Sequence, residues 1–160
     1  MHMHLFGMVE KSSAAKNLPS LPCLCGSMRR ATRALTQLYE RELAPAGLSA
    51  TQMTILQVLS RAGEVTQGTL GEILAMDSTT LTRTLAIMRR EQWLEERRGA
   101  DRRERLIRLS RRGTSKLRQA EPLWARAQSR VHDVLGGKDW NQMMALAQRA
   151  TLAAKVGGGC

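Results

Sequence analysis

The chain has 160 residues, a net charge of +11 and a pI near 11.0, with only 3% aromatic residues. It is long enough for one domain whose core is built from Leu, Met, Ala and Ile rather than from rings, and its charge favours a polyanionic partner, nucleic acid or an anionic membrane surface. No run of roughly 18 apolar residues is present to read as a membrane span, and the N-terminus lacks the apolar core and cleavage site of a signal peptide; the expected location is the cytoplasm, where the three cysteines stay reduced.

Residues 1–20 carry Ser, Lys, Asn and Pro without periodicity and read as a flexible arm. His2 and His4 lie within it, and an unordered terminus accounts for them better than a metal site. Leu21-Pro22-Cys23-Leu24-Cys25-Gly26 leads into a first helix that Ser27 can cap, with Met28, Ala31, Leu35, Leu38 and Tyr39 as its apolar stripe, and Pro45 and Gly47 break it. Ser49-Ala50-Thr51-Gln52 has capping-box spacing for a second helix that buries Met53, Ile55, Leu56 and Leu59 and stops at Gly63. Glu64-Val65 is a candidate short strand, and Thr66 caps a third helix with Leu70, Ile73 and Leu74 facing the core. Ala75-Met76 makes the turn into the next helix.

That next stretch, residues 77–109, organises the chain. Asp77 or Ser78 caps a helix whose Leu81, Leu85 and Met88 form one face, while Thr79, Arg83, Ala86 and Arg90 form a short, positive outer face. Trp93 to Arg98 and Arg103 to Leu109 read as two strands joined by the turn residues Gly99 and Asp101. Between Arg83 and Arg118 there are 13 Lys or Arg against 5 Asp or Glu, a net +8 of the chain's +11. A charge run is commonly a solvated face. Here it sits at a hairpin tip beside a candidate reading helix, where it can neutralise phosphates. Ser110 then caps a long helix, in which Leu117, Ala120, Trp124, Ala127, Val131 and Val134 recur. Pro122 is expected to kink it or shift its start, and Gly136-Gly137 to end it. Asp139-Trp140-Asn141-Gln142 has capping-box spacing for a last helix lined by Met143, Leu146, Ala147 and Ala150.

At residues 70–74 (LGEIL), 78–83 (STTLTR), 101–103 (DRR) and 108–113 (RLSRRG), the sequence resembles the MarR (multiple antibiotic resistance regulator) family of bacterial transcription factors, over roughly residues 25–155. One departure is Gln92, where the family has Gly ending the reading helix; a left-handed Gln there costs roughly 1 kcal/mol. The expected fold is mainly α with a small β-hairpin wing (α+β): a winged helix-turn-helix over 48–110, flanked by dimerisation helices over 21–47 and 111–156, with a flexible tail over 157–160. Long Ala- and Leu-faced helices outside a compact module suit dimerisation, and the resemblance implies a two-fold homodimer. Such a dimer sets two reading helices in successive major grooves of a pseudo-palindromic operator in double-stranded DNA.

Ser78, Thr79 and Thr80 lie where hydroxyls and free N–H groups can meet phosphates or base edges, followed by Thr82, Arg83 and Arg90. Arg83 fits guanine bidentately, the bland reading being a phosphate contact alone. The resemblance implies that Arg103 enters the minor groove while Asp101 braces an arginine, with Arg102 and Arg105 on the DNA backbone. It also implies an effector, either a small aromatic or anionic molecule or a signal read by cysteines near the first helix. Cys23 and Cys25 can share a soft metal or metalloid such as Zn(II), Cu(I) or As(III), with Cys160 as a third ligand, or be oxidised. Two small residues packing at a helix start is the plainer reading of Cys23-x-Cys25, and an incidental exposed thiol that of Cys160. No cofactor is required.

The functional expectation is a sequence-specific dimeric transcriptional regulator, a repressor released by its signal. The alternative is an architectural DNA-binding protein without an effector. An enzyme is not expected: His132 stands alone in the folded region, and neither a phosphate loop nor paired carboxylates accompany it. Charge gathered on a helix and hairpin favours nucleic acid over a lipid surface.

Overall fold

The computed structural model describes residues 18–101 and 104–156. In chain order the elements are α1 (Leu24–Leu43), a 3-10 turn (Ala44–Ala46), α2 (Ala50–Ala62), β1 (Val65–Thr66), α3 (Gln67–Leu74), α4 (Ser78–Arg90), β2 (Leu94–Arg98), β3 (Arg105–Leu109) and α5 (Arg111–Val156). The chain divides into two compact units after Leu35. Among the described residues no helix is long and apolar enough to cross a membrane.

The first unit holds the opening turns of α1. The helix begins at Leu24, ahead of the expected Ser27 cap. The amide of Ser27 already donates to the Cys23 carbonyl (2.9 Å), an i→i−4 bond that puts Ser27 inside the first turn. Its hydroxyl reaches back to the Leu21 carbonyl (3.4 Å). Arg30 fastens the lead-in segment by donating to the Pro19 carbonyl (2.8 Å). Leu24 and Met28 remain exposed.

In the second unit, one core joins Leu43, Met53, Ile55, Leu56, Leu59, Leu70, Leu81, Leu85, Met88, Trp93, Ile107 and Leu117. The Ser49 capping box forms as its spacing requires: Ser49 Oγ accepts from Gln52 N and Gln52 Oε1 accepts from Ser49 N. Gly63 ends α2 at φ 76°, and Thr66 caps α3 through the amide of Thr69. Ile73 departs from expectation: it is 51% exposed while Leu70 is fully buried, so α3 buries a narrower stripe. Ala75 turns the chain in the left-handed region (φ 51°) before Asp77 caps α4.

The hairpin closes into a three-stranded antiparallel sheet of order β1-β3-β2. Leu94 pairs with Leu109 and Arg98 with Arg105, so the two arginine-bearing ends lie together at the far tip. At its near end the sheet is locked to α5. Ser110 N donates to the Trp93 carbonyl (3.0 Å), Ser110 Oγ donates to the Gln92 carbonyl (2.7 Å), and Gly113 N donates to Ser110 Oγ (2.9 Å). One serine thus caps α5 and holds the start of β2.

Gln92 is left-handed, at φ 59°, so the departure from the family's glycine carries its conformational cost. Its side chain recovers part of that by accepting from Arg112 Nη1 (3.1 Å), an exposed contact of small value. We therefore expect Gln92→Gly to stabilise the fold by about 0.5–1 kcal/mol in urea denaturation. A loss of stability instead would show that the Arg112 contact outweighs the backbone cost.

Pro122 does not divide α5, whose start stays at Arg111. Pro122 and Arg118, one turn earlier, are both exposed, so water can take the orphaned carbonyl, while buried Leu117, Ala120 and Ala127 hold the opposite face. The break falls at Gly136 (φ 76°, ψ 160°), as expected. Helix resumes at once, so Asp139 lies in a first turn rather than at a cap. Beyond the break, Lys155 Nζ donates to the Glu72 carbonyl (2.8 Å), tying the last turns of α5 to the C-terminal end of α3. Val134, expected on the inner stripe, is 85% exposed.

Candidate nucleic-acid interface

Asp77 sets the start of α4. Its Oδ1 accepts from Thr80 N (2.8 Å) and its Oδ2 from Thr80 Oγ1 (2.7 Å). The Thr80 hydroxyl and amide bonds hold the Asp77 carboxyl below its usual range. Leu81, Leu85 and Met88 are buried, which rolls Ser78, Thr79, Thr80, Thr82, Arg83 and Arg90 outward, all exposed. At 13 residues the helix is about 20 Å long, and its outer side chains are short enough to enter a major groove about 12 Å wide. Thr82 is not free-standing: Gln67, the first residue of α3, donates to its hydroxyl from Nε2 (2.8 Å).

At the wing tip Gly99 N donates to the Glu104 carbonyl (2.9 Å), and Glu104 N to the Asp101 carbonyl (3.0 Å). Asp101 and Arg105 are exposed there. Arg103, expected in the minor groove, and Arg102, expected on the DNA backbone, lie outside the described residues.

Acidic partners sort the wing's arginines. Glu64, at the edge of β1, accepts from Arg97 Nε on β2 (2.7 Å) and lies 3.5 Å from Arg108 Nη1 on β3. The Arg97 hydrogen bond foremost, against a desolvation cost, lowers the Glu64 pKa. Glu95 takes the other side of Arg108 (2.9 Å). Glu96 pairs with Arg89 of α4 and lies 3.6 Å from Arg105, so one carboxylate links the reading helix to the wing. Arg98 makes no ion pair among the described residues. A charge count along the chain treats all these arginines alike. The structure leaves Arg83, Arg90 and Arg98 free of ion pairs among the described residues, and commits Arg97 and Arg108 to the sheet. Gln67 and Glu96, neither expected as site residues, are the polar supports of α4.

Cys23 and Cys25 flank the first residue of α1 and are both exposed. Cys160 lies outside the described residues. Among the described residues no three His, Cys, Asp or Glu side chains gather as a metal site.

A helix-turn-helix whose second helix is exposed, followed by a basic antiparallel hairpin, defines a winged helix-turn-helix DNA-binding protein. The model of the MarR family matches residues 46–104. The transcriptional regulator MosR of M. tuberculosis, solved in complex with DNA, is 36% identical with a TM-score of 0.77, over 85% of this chain and 98% of that one. Wild-type apo MarR from E. coli shares the fold at 20% identity and a TM-score of 0.68, over 82% and 98% of the two chains. YwoH of Bacillus subtilis, an uncharacterized HTH-type transcriptional regulator, is 28% identical over 93 residues, 58% of this chain and 68% of that relative. The chain belongs to the MarR family of DNA-binding transcriptional regulators.

Proposed function

We propose that the protein is a homodimeric repressor acting on DNA in the cytoplasm. Two α4 helices read a pseudo-palindromic operator, Arg83 takes a base edge, and the wing's Arg103 enters the minor groove. The observation that carries this reading is the outer face of α4, where six polar side chains stand exposed over a buried Leu81-Leu85-Met88 stripe, beside an arginine-bearing wing. In support of the dimer, α1 buries only Leu43, and Met143, Met144, Leu146 and Leu152 of α5 are each about half exposed. Residues 21–47 and 111–156 supply the dimerisation helices, and 48–110 the reading module.

The test is a footprint on DNA upstream of the gene and its neighbours. A discrete inverted repeat supports the regulator; diffuse protection supports an architectural role. Arg103→Ala is expected to weaken operator binding by about tenfold or more at fixed salt, in line with loss of one groove contact and its counterion release. Unchanged affinity would remove the wing from the mechanism.

The proposed signal is either a small aromatic or anionic molecule, or a thiol-directed one at Cys23 and Cys25: an oxidant, or a soft ion such as As(III), Cu(I) or Zn(II) with Cys160 as third ligand. Exposure of both thiols at a helix start supports the second route. Wild-type protein is expected to lose operator affinity on titration with arsenite or peroxide, and the Cys23→Ser/Cys25→Ser variant to keep it. An identical response of the two proteins rules the thiols out and leaves the small molecule.

A further inference from the structure

Helix α4 carries five hydroxyl side chains, Ser78, Thr79, Thr80, Thr82 and Thr84. Two have spent their protons inside the protein: Thr80 donates to Asp77 Oδ2 (2.7 Å) and Thr84 donates to the Thr80 carbonyl one turn back (3.0 Å). Thr82 differs. It is exposed, its hydroxyl makes no bond to a backbone carbonyl among the described residues, and it receives a hydrogen bond from Gln67 Nε2 across 15 residues of sequence (2.8 Å). A hydroxyl has one proton and two acceptor lone pairs. With one lone pair taken by Gln67, the Thr82 proton remains available to a partner outside the protein. The amide that fixes it keeps its own carbonyl, Gln67 Oε1, which has no donor among the described residues.

We infer that Gln67 and Thr82 form a composite base-reading unit, an outward donor beside an outward acceptor, selecting adenine at one position of each half-site. Adenine presents the complement in the major groove, with N7 accepting and the N6 amine donating. Gln67 acts both as the positioning residue that sets the polarity of Thr82 and as the acceptor for N6. The inference rests on α4 being the reading helix, as proposed above, and adds a side chain from α3 to it.

The experiment is a competition titration of the full-length protein against an operator panel carrying every base pair at every half-site position, at one salt concentration. Wild type is expected to prefer adenine at one position by about tenfold, the size of one mismatched contact. Replacing that adenine by 7-deazaadenine, which lacks N7, should cost wild type a similar factor. Gln67→Ala should flatten this position to within about twofold, leave the other preferences in place, and respond little to 7-deazaadenine. Gln67→Glu should go further. A carboxylate only accepts, so the Thr82 proton turns inward and two acceptors face the groove, moving the preference towards the cytosine N4 amine. A changed base preference requires a folded, bound protein, so this variant separates readout from stability. The inference is overturned if both variants keep the wild-type profile, if all positions weaken equally, or if both lose binding while melting like wild type. A wild-type protein with no base preference anywhere would instead sink the reading-helix assignment beneath it.

Discussion

Replacing Gly113 by alanine is expected to unfold the junction that carries the wing, destabilising the protein by about 3 kcal/mol or more. A Cβ built on Gly113 would stand 2.0 Å from the Trp93 carbonyl oxygen and 3.0 Å from its carbon. No rotamer relieves this, because the obstacle is backbone. Nor can that carbonyl move away freely, since it accepts from Ser110 N (3.0 Å), and Ser110 in turn caps α5 by accepting from Gly113 N (2.9 Å). Alanine's better helix propensity, about 1 kcal/mol over glycine, works in the opposite direction and is too small to offset the clash. For a chain of this length the melting temperature should fall by roughly 6–12 °C. Gly137→Ala is the control: its nearest neighbour would be 3.9 Å away, at His132 Nε2, so it should melt at or above the wild-type temperature. A Gly113→Ala protein melting within about 2 °C of wild type would show that β2 and α5 can separate without cost. Operator affinity should fall along with stability, because the same contact fixes where the hairpin leaves α4.

Local chemistry made most of this arrangement legible in the sequence. Ser49-x-x-Gln52, Thr66, Asp77 and Ser110 cap the helices they precede because each satisfies amides two or three residues away, and no distant contact competes. Gln92 stood out only through the resemblance to the MarR family, which has Gly at that position, and its left-handed backbone agrees with that comparison. Three local signals misled, one of them the Asp139-x-x-Gln142 box, since Asp139 lies inside a first turn rather than at a cap. Ser27 has the chemistry of a cap, yet the helix runs past it to Leu24, since nothing between breaks it. Pro122 has the chemistry of a breaker, yet it sits on the solvent face of α5, where its missing amide costs least. What the sequence could not display were pairings between distant elements. Glu64 and Arg97 are 33 residues apart, and Gln67 and Thr82 are 15 apart. Sheet register and helix packing bring them together, and no one-dimensional period marks them. The basic segment was therefore readable as a nucleic-acid surface, but not which arginines the fold had already neutralised.

In the proposed homodimer, placing glutamate at both Met143 and Leu146 should lower operator affinity by a factor of about 10²–10⁴. The two residues lie three apart on the last stretch of α5 and are 46% and 50% exposed within one chain. Charges there meet water in the monomer, and the fold should melt within about 0.5 kcal/mol of wild-type stability, as for other surface changes. Across a two-fold interface each substitution appears twice, so four carboxylates would face an apolar surface, and desolvating unpaired charge outweighs the apolar burial it replaces. Light scattering should then report a monomer. A monomer offers one α4 and one wing, and it binds a half-site without the effective concentration that tethers its partner to the other half. The affinity for an isolated half-site should stay near that of a wild-type subunit, which distinguishes a lost dimer from a damaged reading head. Gln148→Glu, exposed and on another face of the same helix, should leave both mass and operator affinity unchanged. If the double variant remains a dimer and binds the operator like wild type, this stretch of α5 is not the interface, and the two reading helices must be held together by another surface.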